Sequence, residues 1–314
     1  MQPSRRAVID VGTNSIKLLV ADVAGRDVQP VHEESRQTRL GKGFYETHRL
    51  QMEPIAYSAN AVADFAQTAR KHGARSIRVI ATSAARDAVN PEDLISAIEA
   101  AAGLKVEIIS GGQEAGLAFQ GVTTDPELAQ APLLLLDVGG GSTQFILGRG
   151  EHKHFAHSFT LGTVRLLEKF PHSDPPTRAE FTTCRDWLKN FLQSEVRPKL
   201  EPALRRETDA QSAGIQLVGT GGTTSILARM EAKLDRYDRE RMEATRLSLE
   251  QMKAHRKRLW SLPLAERKEI TGLPKLRADV ILTGVVIYEV VMEEFGFKLL
   301  RVSTRGLRFA AVMD

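Results

Sequence analysis

The residues best suited to do chemistry lie in three short loops of glycine, serine and threonine, at 12–15, 139–143 and 219–223. Because glycine lacks side-chain bulk, consecutive backbone N–H groups can converge on phosphate oxygens, and nearby hydroxyls add donors. One such cluster is usually an ordinary turn, but three together indicate phosphate binding. The candidate phosphate-binding residues are Gly12, Thr13, Asn14, Ser15, Gly139, Gly140, Gly141, Ser142, Thr143, Gly221, Gly222 and Thr223.

Two aspartates end apolar runs directly before the first two loops. Asp10 and Asp137 each open the pattern Asp-Val-Gly-x-x-Ser. A carboxylate at this place could hold a Mg²⁺ ion, directly or through water, while the metal offsets phosphate charge. The alternative is an aspartate that only caps its own turn, since aspartate is favoured in turns.

A glutamate and an arginine could act on a bound phosphate. Glu114 lies in the first turn of a predicted helix after the loop 110–112, where a carboxylate could activate water. The alternative for Glu114 is a helix cap. Arg86 follows a predicted buried strand, and its guanidinium could donate two parallel hydrogen bonds to phosphate oxygens. The alternative is that Arg86 pairs with Asp87 or another acid nearby.

The elements that must position these residues follow from periodicity and turn residues. Two β-hairpins are predicted, 7–10 with 16–23 and 133–138 with 144–147, each closed by a small-residue loop. The remaining predicted strands are 77–81, 106–109, 215–218 and 299–302, and the predicted helices are 53–72, 91–102, 113–120, 176–207, 224–233, one opening at Ser248, and 278–294. The repeated hairpin predicts an internal duplication. We therefore expect an α/β protein of two duplicated domains, 1–128 and 129–314.

Composition narrows the class of protein. The 314 residues include 43 Lys and Arg against 39 Asp and Glu, a net charge of +4 that mildly favours anionic partners. Cys184 is the only cysteine, which rules out an intrachain disulfide and a cysteine zinc site. Polar residues interrupt the first apolar stretch, and no apolar run reaches the ~20 residues that span a bilayer. We expect a cytoplasmic protein that binds neither membrane nor nucleic acid.

These motifs resemble the exopolyphosphatase and guanosine pentaphosphate phosphohydrolase family, within the superfamily of actin, sugar kinases and Hsp70. The similarity runs nearly end to end and is carried by the segments 7–15, 82–90, 108–115, 137–143, 219–223 and 303–308. It implies two actin-like (ribonuclease H-like) domains with a cleft between them, in the short two-domain form. It also implies roles for three residues: Glu114 orients the attacking water, Arg86 clamps the terminal phosphates, and Asp137 binds Mg²⁺.

The chain departs from the family pattern at several positions. Gln144 stands where the family usually has Glu, Gln113 precedes the catalytic Glu in place of another Glu, and Gly116 replaces a frequent Arg. Phe309 and Ala310 replace the usual Glu-Gly. The resemblance leaves the substrate open between inorganic polyphosphate and a guanosine polyphosphate. Alternatives are a kinase or ATPase of the same fold and a non-catalytic sensor, and a homodimer is a further expectation.

Overall fold

The computed structural model describes residues 2–210 and 214–314. They form two units, one of residues 1–125 with 305–314 and one of residues 126–304, each with its own mixed sheet. Among the described residues, no helix has the length and apolar character needed to cross a bilayer.

The strands of the first unit are β1 Ser4–Val11, β2 Ser15–Ala24, β3 Asp27–Gln37, β4 Ser76–Ala81 and β5 Val106–Ile108. They lie in the order β3-β2-β1-β4-β5, with the first three antiparallel and with β4 and β5 parallel to β1. Alternate residues of β2 pack into two different cores. Ile16 and Leu18 lie on one face of the sheet, and Leu19 and Ala21 lie on the other. Both faces of this sheet are therefore covered.

The helices of the first unit are α1 Phe44–Thr47, α2 Met52–Lys71, α3 Ser83–Arg86, α4 Pro91–Ala102 and α5 Gly111–Val122. Small apolar residues of α2 pack with Phe65 against one face of the sheet. The predicted helix after Asn90 is present, but the Asn90 side chain does not cap it. Its amide instead bonds the Leu50 backbone, accepting from N–H at 2.8 Å and donating to the carbonyl at 3.1 Å.

The strands of the second unit are β6 Leu133–Val138, β7 Thr143–Arg149, β8 His152–Phe159, β9 Gln216–Thr220, β10 Arg246–Ser248 and β11 Leu299–Val302. They lie in the order β10-β11-β9-β6-β7-β8, in which β6, β7 and β8 are antiparallel neighbours and β9 is parallel to β6. Starting from β8, the first five strands repeat the order of the first sheet: an antiparallel three-stranded meander followed by two parallel strands, to which β10 is added antiparallel at the edge. The two sheets thus share one arrangement, as the repeated hairpin predicts.

The helices of the second unit are α6 Pro126–Gln130, α7 Thr163–Lys169, α8 Arg178–Phe191, α9 Arg197–Ala210, α10 Gly221–Glu231, α11 Arg239–Ala244, α12 Leu249–Ser261, α13 Leu264–Arg267 and α14 Ile281–Phe295. A π-helical turn, Leu192–Val196, joins α8 to α9, so the predicted long helix is continuous but contains one wide turn. The helix predicted to open at Ser248 is α12, and a capping box of Ser248 and Gln251 forms its start. The apolar helix α14 lies at the centre of the larger core.

The last helix, α15 Leu307–Ala311, returns to the first unit. Leu307 and Phe309 are buried there together with Val8 and Leu19 of the sheet. This division differs from the predicted one, which assigned everything after residue 128 to the second domain. The reason is that the apolar face of this short helix completes the second core of the first unit, a long-range contact that local sequence patterns do not record.

Candidate active site

The two hairpin loops close in the same way. The N–H of Gly12 donates to the carbonyl of Ser15 at 3.1 Å, and the N–H of Gly139 donates to the carbonyl of Ser142 at 2.9 Å. A Cβ at either glycine would lie within 3.0 Å of that same carbonyl oxygen. Both glycines are therefore required to shape the turn, and their own N–H groups are used inside it rather than on a ligand.

The second loop presents a row of backbone N–H groups on one side. The carbonyl oxygens of residues 139–141 accept hydrogen bonds of 2.9–3.1 Å from residues 163–165 in the first turn of α7, including one from Arg165 Nε. In a planar trans peptide, each N–H points opposite to the preceding carbonyl. The N–H groups of Gly140, Gly141 and Ser142 are thus directed away from α7, an arrangement suited to an anion.

The first loop is held in the same way, with its carbonyl groups bonded on one side and N–H groups directed to the other. The carbonyl of Thr13 accepts from Gly41 N at 2.7 Å, and the carbonyl of Asn14 accepts from two N–H groups of residues 38–39 at 3.1–3.2 Å. The N–H groups of Asn14 and Ser15 therefore point away from that segment. Asn14 Nδ2 is buried and has no hydrogen-bond partner among the described residues. A buried donor of this kind normally has an acceptor, and a phosphate oxygen would supply one.

Two predicted phosphate ligands use their hydroxyl groups inside the protein. Thr143 Oγ1 donates to the carbonyl of Leu161 at 2.7 Å, and Thr223 Oγ1 donates to the carbonyl of Val138 at 3.2 Å. Each hydroxyl has one proton, so neither can also donate to phosphate. The structure corrects the expectation for these two hydroxyls: they hold the loops in place.

Gln144 is buried on β7 and contacts the second loop. Its Nε2 donates to Ser142 Oγ at 2.9 Å and to Ser158 Oγ at 3.0 Å. Because Ser142 Oγ accepts this bond, its own proton remains available to a ligand. A glutamate at position 144 could only accept, and it would take that proton. The amide therefore leaves Ser142 as a phosphate donor.

The predicted third loop, 219–223, is not a loop. Its first two residues end β9, and Gly221 begins α10 at a φ of +85°. A Cβ on Gly221 would collide with Asp137 Oδ1, so only glycine fits beside that carboxylate. A Cβ on Gly222 would lie 3.5 Å from Arg277 Nη2. A helix N-terminus next to a guanidinium favours an anion.

Asp10 and Asp137 occupy equivalent places but have different neighbours. Across the hairpin, Asp10 pairs with Lys17, whereas Asp137 pairs with the neutral Gln144. Burial raises the pKa of Asp10, and the charges of Lys17 and Arg308 partly counter that rise. Two cations already face Asp10, and their positive charge disfavours a metal ion at that carboxylate.

The residues present suit a Mg²⁺ ion bound partly by its substrate. Among the described residues, no group of three or more His, Cys, Asp or Glu could hold a metal ion. Mg²⁺ commonly keeps several waters and uses one or two carboxylates together with substrate phosphates. Asp137 beside the phosphate-binding loop meets that requirement, and the buried Asp10 Oδ1, which has no partner among the described residues, is the second candidate.

The predicted base and the predicted phosphate clamp contact each other. Arg86 Nη1 donates to Glu114 Oε2 at 2.9 Å and to the carbonyl of Ile109 at 3.3 Å, and Arg86 Nε lies 3.5 Å from Asp87 Oδ1. Glu114 is 9% exposed. Arg86 Nη2 has no hydrogen bond to any described residue, so it can still donate to a phosphate. Arg86 thus pairs with its neighbour Asp87, as the alternative expected, and also with Glu114, a partner that the sequence did not reveal.

Glu114 is not needed as a helix cap. Ser110 and Gln113 form a capping box at the start of α5, with Ser110 N donating to Gln113 Oε1 at 2.8 Å and Gln113 N donating to Ser110 Oγ at 3.2 Å. Gln113 therefore forms the helix cap that the alternative assigned to Glu114. The Glu114 carboxylate, one residue further, is held by Arg86 instead.

The strand order of each sheet explains why the candidate residues of that unit lie at one edge. In the first unit, the loop 12–15, Arg86 and Glu114 follow the carboxyl ends of β1, β4 and β5, which are parallel neighbours. In the second unit, the loop 139–143 and Gly221 follow the carboxyl ends of β6 and β9, which are also parallel. Ligands bind at this edge in open α/β sheets. Each unit therefore carries its candidate residues at one sheet edge.

Comparison with known proteins agrees with this geometry. The family model described as "Ppx/GppA phosphatase family" matches residues 19–313. The chain belongs to the Ppx/GppA phosphatase family. A relative called exopolyphosphatase 2, from Mycobacterium tuberculosis, is 37% identical over 306 residues, covering 94% of this chain and 92% of the relative. Another relative, exopolyphosphatase 1 of Mycobacterium bovis, is 28% identical over 312 residues, covering 98% and 87%.

Solved structures of the Ppx/GppA family share the fold. The crystal structure of the Aquifex aeolicus family member superimposes with a TM-score of 0.78 at 28% identity, covering 99% of this chain and 97% of that one. An exopolyphosphatase from Cytophaga hutchinsonii gives a TM-score of 0.84 at 28% identity, covering 98% and 96%. The predicted α/β fold of actin-like type is confirmed.

In this Ppx/GppA family member, sequence reasoning missed two arginines. Arg165 fixes the carbonyl of Gly141, and Arg277 lies beside Gly222. Arg165 could have been suspected, since it follows the second hairpin closely. Arg277 lies 55 residues after Gly222 in the chain, and no local pattern joins them.

Proposed function

We propose that this chain is a phosphohydrolase that releases terminal orthophosphate from inorganic polyphosphate, guanosine pentaphosphate or both. The observation that carries the proposal is the contact between Glu114 and Arg86 at the sheet edge that also bears the loop 12–15. The names of the relatives, exopolyphosphatase 1 and 2, support polyphosphate as a substrate.

In the proposed reaction, water attacks the terminal phosphorus in line and the bridging P–O bond breaks. Glu114 accepts the water proton, and the shortened chain leaves with the bridging oxygen. Arg86 holds Glu114 through Nη1 and donates to the phosphate through Nη2. The N–H groups of Gly140 and Gly141, with the Ser142 hydroxyl, stabilise negative charge on phosphate oxygens. No covalent enzyme intermediate is required.

Mg²⁺ is the proposed cofactor. Asp137 would bind it, and Asp10 is the second candidate ligand. When bound, the ion would offset negative charge on the phosphates. Gly221 keeps the space beside Asp137 open, because any side chain there would strike Oδ1.

A sensor that binds the same anions without turnover is the second candidate function. Gln144 favours it, since an amide is a weaker metal ligand than the glutamate usual in the family. A kinase or ATPase would instead require transfer of phosphate to an acceptor. We further propose a cytoplasmic location, supported by the single cysteine, and leave the homodimer as a proposal.

The test is phosphate release from long-chain polyphosphate and from guanosine pentaphosphate, with and without Mg²⁺. Release that depends on Mg²⁺ and is lost in Glu114→Gln and in Arg86→Ala would support the hydrolase. Tight binding of either compound without release would overturn it in favour of the sensor. Transfer of the terminal phosphoryl group to an added acceptor, with no orthophosphate released, would favour the kinase.

A further inference from the structure

A glutamine outside the residues assigned above contacts the first phosphate-binding loop. Gln37 is the last residue of β3, and in the strand register it pairs with Ser15 of β2. Its Nε2 donates to the side-chain oxygen Oδ1 of Asn14 at 3.1 Å. Gln37 is therefore bonded to a loop residue whose own role depends on which atom of its amide it presents to a ligand.

The Asn14 amide has two ends with opposite hydrogen-bonding character. Its Oδ1 only accepts hydrogen bonds, and its Nδ2 only donates them. Because Oδ1 faces Gln37, Nδ2 is turned away from that side chain. Asn14 is 6% exposed, and its Nδ2 is buried without a partner among the described residues. Since a buried donor without an acceptor is costly, this arrangement suits an acceptor that arrives with a ligand.

The backbone that follows β3 keeps the two amides side by side. The N–H groups of residues 38–39 both donate to the carbonyl of Asn14 at 3.1–3.2 Å, and Gly41 N donates to the carbonyl of Thr13 at 2.7 Å. A Cβ on Gly41 would collide with the Thr13 side chain, so the two segments approach more closely than another residue would allow. The segment 37–41 is thus shaped around the loop.

A negatively charged ligand favours the observed order of donor and acceptor in this pair. With both amides reversed, the same hydrogen bond would form with Asn14 as the donor and Gln37 as the acceptor. Asn14 would then present an oxygen to the ligand, and that oxygen would repel a phosphate oxygen. Gln37 Oε1 also has no partner among the described residues, so the two amides are oriented by each other and by the ligand.

We propose that Gln37 is a positioning residue for the substrate: it donates to Asn14 Oδ1 and thereby leaves Asn14 Nδ2 to donate to a phosphate oxygen. The inference rests on the proposed function in one respect, since the phosphate would be that of a substrate bound at the loop 12–15. Gln37 itself touches no phosphate and takes no part in bond breaking. A glutamate at position 37 would reverse the pair, because a carboxylate only accepts and would draw Nδ2 toward itself.

The first experiment observes the Asn14 amide directly by NMR. The chain has four asparagines, at positions 14, 60, 90 and 190, so labelling with ¹⁵N-asparagine gives few side-chain NH₂ signals, and Asn14→Ser identifies those of Asn14. The Glu114→Gln chain, which prevents turnover, is titrated with tripolyphosphate and Mg²⁺, and calorimetry measures binding on the same samples. We expect the Asn14 signals to shift and those of Asn60, exposed on α2, to stay in place. Binding without any shift of the Asn14 signals would overturn the proposal.

Variants of Gln37 test whether it sets the orientation of Asn14. In the Glu114→Gln chain, Gln37→Glu should abolish the shift of the Asn14 signals and raise the dissociation constant for tripolyphosphate about 10-fold, the scale of one hydrogen bond to a charged group. Gln37→Met removes the donor without adding charge and should raise the constant about threefold. Gln29→Glu is the matched control, because Gln29 is an exposed glutamine of the same strand. Unchanged affinity in Gln37→Glu would overturn the proposal, and if the added charge prevents folding, unchanged affinity in Gln37→Met would do so.

A kinetic comparison separates positioning from a general loss of structure. With Glu114 intact, Gln37→Glu should raise KM for tripolyphosphate about 10-fold and leave kcat within about threefold of the wild type, as when an interaction is lost equally from the substrate and the transition state. Lower kcat and melting temperature with an unchanged KM would show a structural role only and overturn the positioning role.

Failure of this inference and failure of the proposed function give different results. Phosphate release from tripolyphosphate by the chain with Glu114 intact tests the function alone. Normal release, with no response of the Asn14 signals in the Glu114→Gln chain, overturns the role of Gln37 and keeps the hydrolase. Absence of release, with an Asn14 response that Gln37→Glu abolishes, overturns the hydrolase and supports the role of Gln37.

Discussion

Replacing Glu114 with glutamine should separate catalysis from folding. The Gln side chain keeps an acceptor oxygen near the position of Oε2, 2.9 Å from Arg86 Nη1, but it carries no charge and cannot take a proton from water. A positioned general base contributes about 10²–10⁴-fold, which corresponds to about 2.7–5.5 kcal/mol of activation free energy. We therefore expect kcat for phosphate release to fall by at least about 100-fold.

The stability cost of the same change should be small. The two side chains of the ion pair are 21% and 11% exposed, and Arg86 keeps its bond to the Ile109 carbonyl and its proximity to Asp87. A partly exposed pair of this kind, with one hydrogen bond retained, should cost about 1–2 kcal/mol. That loss lowers the melting temperature by a few degrees, so the variant remains folded during the assay.

A matched control exists in the same unit. Arg78 and Glu107 form another ion pair, with Nε and Oε2 2.9 Å apart, away from the candidate site. Glu107→Gln makes the identical chemical change and should leave kcat unchanged. The assay is phosphate release at saturating substrate, with melting temperature measured on the same samples. A Glu114→Gln chain that is folded and retains kcat within about threefold of the wild type would refute the role of Glu114 as base.

Three further predictions concern the loops and one helix. Gly221→Ala should reduce Mg²⁺-dependent activity at least about 10-fold, because the new Cβ would collide with Asp137 Oδ1 and the backbone has a φ of +85°. Titration of activity with Mg²⁺ measures this effect. An unchanged Mg²⁺ requirement would contradict the prediction. Thr143→Val should lower the free energy of unfolding by about 1–3 kcal/mol, because the buried carbonyl of Leu161 loses its hydrogen-bond donor. Thr143→Ser keeps the hydroxyl and should retain most of that stability. Urea denaturation of both variants measures the difference. Glu180 has a pKa lowered to about 2 by backbone hydrogen bonds at the start of α8, so its stabilising effect is full above the unfolded value near 4.5 and disappears as the pH falls to about 2. The melting temperature of Glu180→Gln should accordingly lie below that of the wild type at pH 6 and approach it at pH 2.5; an equal difference at both values would contradict this account.

The strand and loop pattern was predictable because it depends on near neighbours. Both hairpins have apolar strands that meet across a short turn, and the turn requires a small residue at Gly12 and at Gly139 for the same reason. The helix capping signals at Ser248 were likewise local. Sequence reasoning succeeds where the energy that fixes an element comes from residues a few positions apart.

The errors all involve contacts between distant segments. A threonine in a glycine loop has the same local sequence whether its hydroxyl faces phosphate or a carbonyl, and only the approach of Leu161 decides the matter for Thr143. The pairing of Arg86 with Glu114 joins residues 28 positions apart. The need for glycine at position 221 arises because Asp137 Oδ1, 84 positions earlier in the chain, lies where a Cβ would be. These contacts form only when the strands are assembled into a sheet, so the local sequence could not predict them.

The return of the last helix bears on how the chain folds as it is made. Domains emerging from the ribosome generally fold from the N-terminus onward. Here the core around Val8 and Leu19 also contains Leu307 and Phe309, so the first unit lacks part of its interior until residue 309 has been synthesised. The second unit, residues 126–304, contains all of its own strands and is complete earlier. During synthesis, the unit that begins the sequence is therefore the last to be finished.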